Sequence, residues 1–116
     1  MCRAYWKRLL ISIFRGKGRD WMYSQQELSS LDRRYFEVIV ASDYDITLLS
    51  RNTRHMWQLH SVDMPDGSLI VLFHKHHVQD EYHLQKRFGG DLNRVIRSIK
   101  SHDKFQLNGR KPVKRH

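Results

Sequence analysis

The stretch from His55 to His76, HMWQLHSVDMPDGSLIVLFHKH, decides the fold. Two strand-like runs, 55–62 and 68–76, flank Met64-Pro65-Asp66-Gly67, which puts proline and glycine where a tight hairpin turn wants them. With a loop at Pro65-Asp66, or the four residues 64–67, paired positions sum to 131, so His55 faces His76 and Trp57 faces His74. Side chains alternate across a strand, so these four share one face of the sheet. A loop at Asp66-Gly67 shifts the pairs by two and keeps that face. An odd loop would break the grouping.

Outward from the hairpin, Tyr35 to Ala41 (YFEVIVA) is β-branched, aromatic and nearly all apolar, which predicts a central, well-buried strand. Ser42 to Asp45 is turn-like, Ile46 to Ser50 a further strand, and Arg51-Asn52-Thr53-Arg54 a polar loop. Ser24-Gln25-Gln26-Glu27 matches the S-x-x-E capping box and opens a short helix through about Leu31. On the C-terminal side, residues 77–90 read as a polar connection closing on Gly89-Gly90. Asp91 then caps a helix over 91–103, with Leu92, Val95, Ile96 and Ile99 on one face and His102 and Lys104 near its C-terminus. The expected fold is α+β: an antiparallel sheet of about four strands with helices packed on one face. It forms a single domain over 22–108, followed by a disordered basic tail, 109–116.

Composition fits one globular domain: 116 residues, 40% hydrophobic and 28% charged. A single cysteine, Cys2, excludes an internal disulfide framework and a cysteine-based zinc site. No apolar run reaches the roughly 20 residues that span a bilayer. Net charge is +9, and both ends are basic: residues 3–19 and the stretch from Lys104 carry cations without a carboxylate. Basic arms on a more neutral core suit phosphate contacts; the plainer alternative is a solubilising surface.

Within residues 1–21, RAYWKRLLISIFR (3–15) reads as a short amphipathic basic helix. It could dock on the protein's own sheet, lie on a membrane surface, or pair with its own copy in a homodimer. Met22 offers an alternative start, which would make this segment an upstream extension. LLISIF followed by Gly-Lys-Gly-Arg offers no small-residue signal cleavage site. The expected compartment is the cytoplasm.

The chemistry, if any, lies with histidine. Six of eight fall between residues 55 and 83: His55, His60, His74, His76, His77 and His83. His55, His74 and His76 could hold a zinc ion, although no carboxylate is obviously placed beside them. Together with Trp57, Arg51, Arg54 and Lys75 they could instead form stacking surfaces interleaved with positive charge, as single-stranded nucleic acid or an RNA loop requires. The blandest reading makes them partly exposed polar residues shielding one end of the sheet. On the last helix, Arg94, Arg97, Lys100 and Lys104 lie away from the apolar stripe and form a basic ridge that could track a phosphate backbone. Gly89-Gly90-Asp91 lacks the P-loop lysine and hydroxyl, and Asp43 and Asp45 suit a turn better than a metal.

His76-His77, Asn93 and His102 resemble the spacing of the HNH endonucleases, whose ββα fold holds a metal and a histidine base. Two features count against it: nine residues rotate a helix by about 900°, leaving Asn93 and His102 on opposite faces, and no second strand is evident in VQDEYHLQKRFGG. More broadly, SRNTRHMW (50–57), HKHH (74–77), YHLQ (82–85) and IKSHDKFQL (99–107) resemble small uncharacterised basic proteins of Firmicutes phages and mobile elements. The resemblance covers about 44–107 and leaves 1–21 outside. It implies a protein that binds nucleic acid or blocks a host nucleoprotein such as a defence nuclease, with no assigned activity or site residues.

These readings converge on a non-enzymatic domain without a cofactor. Arg51, Arg54, His55, Trp57, His74, Lys75, His76, His77, Arg94, Arg97 and Lys100 would contact nucleic acid or a nucleic-acid-bearing partner. The alternatives are an inhibitor of a host defence nucleoprotein and a histidine-based metal-dependent nuclease or hydrolase.

Overall fold

The computed structural model describes residues 22–110 apart from Asp66 and Gly90. The amphipathic segment 3–15 and the basic tail beyond Arg110 lie outside the described residues. Helix α1 (Gln25–Ser29) is followed by β1 (Phe36–Ala41), β2 (Asp45–Ser50), β3 (Met56–Met64), β4 (Gly67–Lys75), β5 (His83–Phe88) and helix α2 (Leu92–Leu107). The five strands form one antiparallel sheet in the order β1-β2-β3-β4-β5, an α+β fold. No helix of the described residues is long and apolar enough to cross a membrane.

The hairpin is built as its sequence requires. Trp57 pairs with His74 and Met64 with Gly67, which leaves two residues in the turn. Gly67 takes φ 144°, a region that L side chains rarely adopt. The capping box is complete: Glu27 N–H donates to Ser24 Oγ at 3.0 Å, and Ser24 N–H to Glu27 Oε1 at 2.9 Å.

One face of the sheet carries the core. Ile46 and Leu48 of β2, Trp57 and Leu59 of β3, Ile70 and Leu72 of β4 and Phe88 of β5 pack with Leu92, Val95 and Ile99 of α2 and with Tyr23, Leu31 and Phe36. The Tyr23 hydroxyl satisfies itself by donating to the Leu59 carbonyl at 3.0 Å.

Four expectations need correction. First, the sheet has five strands, because the connection over 77–90 contains β5. The positions paired with inward residues of β4, the exposed His83 opposite His74 and the buried Phe88 opposite Ile70, are an odd number of residues apart because the register shifts between them. That slip erases the two-residue period from the sequence. Second, the apolar strand β1 is an edge strand, with Ile39 48% and Val40 43% exposed. A bulge between Val38 and Val40 interrupts its pairing. Third, α2 runs a turn further than 103, so His102 sits inside it rather than near its end. Fourth, Gly109 and Arg110 belong to the close of that helix, with their N–H groups bonded to Gln106 O and Phe105 O.

Candidate functional site

Beyond its apolar part, the covered face of the sheet becomes polar, and α2 covers this part too. His74, turned inward by strand alternation, is 1% exposed and stacks on Trp57 with ring centroids 4.0 Å apart. Trp57, with no exposed surface, donates its indole N–H to Ser50 Oγ at 3.0 Å.

His55 enters from the loop before β3, and backbone geometry places it. Arg54 adopts the left-handed conformation (φ 64°), its N–H bonded to Ser50 O at 2.8 Å. Ser50 N–H in turn reaches His55 O at 2.9 Å. That fold-back sets His55 Nδ1 3.0 Å from His74 Nε2, a contact that needs one N–H and one lone pair. A side chain in the left-handed region costs roughly 1 kcal/mol. Arg54→Gly is therefore expected to leave the fold intact and stabilise it by up to about 1 kcal/mol, read by urea denaturation. A clear loss of stability would mean that the arginine side chain itself holds the loop.

The helix supplies the third ring. His102 lies 4.7 Å from His74 and 5.2 Å from Trp57 between centroids, and its Nδ1 is buried without a hydrogen-bond partner. His76 stacks on His55 at 4.2 Å, and His83 meets His74 edge-on at 5.3 Å. Beside this group, Asp103 is completely buried. Its carboxylate accepts from the Tyr35 hydroxyl at 2.7 Å and the Thr53 hydroxyl at 3.0 Å. The polar loop 51–54 is thereby clamped to the helix.

Burial is the main reason His55, His74 and His102 resist protonation. It pushes His55 down to about 4, with His76 adding repulsion, and His74 down to about 3, with His102 adding repulsion. His102 is lowered as well, again chiefly by burial. Burial and its bond to Asp103 raise Tyr35 well above the ordinary tyrosine range. At neutral pH His55, His74 and His102 are thus neutral imidazoles beside the buried Asp103.

The residues expected to form one binding face divide into two groups. His55, Trp57 and His74 are interior, because α2 covers them, and they present no surface on which a base could stack. Arg51, Arg54, His77, Arg94 and Arg97 are exposed, and Lys75, His76 and Lys100 are half-buried. Lys75 donates to Val78 O at 2.8 Å and lies 4.5 Å from the centre of the Tyr82 ring. Lys100 reaches Asp32 at 3.4 Å and lies over the Tyr35 ring.

The converging donor set also differs from His55, His74 and His76. Ligand atoms of His55, His74 and His102 all lie within 4.8 Å of one another. His76 lies nearly parallel to His55, at 13°, and rings packed face to face do not aim nitrogens at a common point. His102 and Asp103 were missed although their signal is in the sequence. They extend the stripe Leu92, Val95, Ile99 by one more turn, which puts them on the buried face.

The HNH resemblance changes on one count. The second strand it requires is present as β5. Asn93, however, is exposed while His102 turns to the sheet, so the two do not meet.

No protein-family model, curated protein or solved structure matches the chain.

Proposed function

We propose that this protein binds nucleic acid, or a partner carrying it, through phosphate contacts from the outward face of α2 and the loop 51–54. One observation carries the reading. Arg51, Arg54, Arg94 and Arg97 are exposed, and among the described residues none of them has a carboxylate within ion-pair range. Lys100 alone of this group pairs, with Asp32. Exposed guanidinium groups without a carboxylate partner on two neighbouring elements suit a polyanion, and the net charge of +9 favours its approach.

Burial of Trp57 and His74 removes the base-stacking half of the expected interface. What remains is recognition led by the backbone of the nucleic acid, with little sequence preference. Fluorescence-anisotropy titration against single-stranded DNA, duplex DNA and structured RNA across a salt series tests this. The expected result is sub-micromolar binding at low salt that weakens steeply, by about 0.9 log units per log unit of salt for each phosphate contacted on duplex DNA. Arg94→Glu with Arg97→Glu is expected to lower that slope by about two units without unfolding the helix. Absence of binding at low salt overturns the reading and points the positive charge at an acidic protein surface, for which affinity capture is the next step.

A further inference from the structure

We infer that His55, His74 and His102 form a binding site for a divalent transition-metal ion of the zinc type. The inference stands apart from the nucleic-acid reading and rests on the interior of the molecule.

Three independent elements supply the donors: the loop before β3, strand β4 and helix α2. Their ligand atoms lie within 4.8 Å of one another, and His55 Nδ1 and His74 Nε2 are already 3.0 Å apart. Zinc–nitrogen bonds of about 2.0–2.1 Å in a tetrahedron put neighbouring donors roughly 3.3 Å apart. The first pair matches that spacing, and a small turn of the half-buried His102 would bring the third to it.

A second observation concerns satisfaction. His102 Nδ1 is buried with no hydrogen-bond partner, and leaving a buried polar atom unmet is destabilising. A stack of apolar rings would fill the same space without that cost. A cation offers the lone pair a partner, and softness suits the choice of metal, since neutral imidazole prefers zinc, cobalt, copper or nickel to magnesium or calcium.

Charge and shell agree. Asp103, next to His102 and fully buried, has no lysine or arginine partner among the described residues. A carboxylate there would offset part of the ion's charge. Tyr35 and Thr53 hold it in place with hydrogen bonds to both carboxylate oxygens. Three protein donors leave a fourth position for water or a ligand; His76 and His83 pack nearby, on His55 and His74. His76 and His102 are only half-buried, so the cluster is reached from their side.

The test uses the full chain, purified without an affinity tag, stripped with chelator and dialysed. Equilibrium dialysis against Zn2+ with elemental analysis should leave one equivalent bound, and thermal unfolding should shift upward. Co2+ should give the intense visible bands of a tetrahedral ion. His102→Ala should weaken binding by more than the roughly 10–100-fold that loss of an outer-shell partner costs. His77→Ala, at an exposed position, should change nothing. His102→Gln, which keeps a polar side chain but no imidazole, serves if the alanine variant folds poorly. The inference is overturned if no equivalent is retained, if Co2+ stays octahedral, or if binding survives both His102 variants.

Discussion

Asp103→Ala is expected to cost about 2–4 kcal/mol, a large share of the stability of a domain this size. The carboxylate has no exposure and accepts two hydrogen bonds, from Tyr35 at 2.7 Å and Thr53 at 3.0 Å. Truncation strands both hydroxyl groups and leaves a void where α2 meets the sheet. It also frees the loop that holds His55, because Thr53 Oγ1 accepts the His55 N–H. Asp103→Asn should cost less, since the amide keeps one acceptor oxygen and most of the volume. Tyr35→Phe removes one of the two donors. Combined with Asp103→Ala it should show a coupling of about 1–2 kcal/mol by denaturant unfolding, because both changes delete the same bond. An Asp103→Ala protein within about 0.5 kcal/mol of the parent would show that the clamp contributes nothing to stability.

Acid should destabilise the metal-free protein well before its carboxylates titrate. Both buried histidines are held below the ordinary value of 6.5, His55 at about 4 and His74 at about 3. Between those values and 6.5 the unfolded chain binds protons that the folded rings refuse. The stability tied to these groups is therefore fully present above about pH 6.5 and falls as pH drops toward 4 and then 3. Each histidine contributes a slope of about 1.4 kcal/mol per pH unit inside its window, so the pair removes several kcal/mol. Urea midpoints from about pH 7.5 to about pH 5, in chelator, read this directly. Replacing His74 with Gln should flatten the profile by one proton's worth. A midpoint constant over that range would mean that the rings are not shielded from water.

Much of the fold was legible locally. The turn at Pro65 and the two-residue period of the strands on either side set the register of β3 on β4, down to Trp57 opposite His74. The Ser24 box and the Asp91 cap marked both helix starts. The basic outer face of α2 followed from the position of its apolar stripe. Two strands were misread for one reason: position in a sheet depends on partners elsewhere in the chain. β1 carries the composition of a central strand yet lies at an edge, and β5 carries Lys86 and Arg87, charges that protect an edge from further pairing.

The candidate site shows the same division. Alternation alone put Trp57 and His74 on one face, because side-chain direction in a strand is a property of the strand, whereas His55 lies in the loop before β3 and His76 just past β4. Whether that face meets water or protein was settled by where α2 docks. His102 and Asp103, one turn beyond Ile99, carry the helix's buried stripe over the histidines. An expected surface thus became an interior cluster. Hydrophobic periodicity records which face of an element is buried, but the groups that bury it come from distant parts of the chain. Only tertiary packing could bring His102 within reach of His55 and His74.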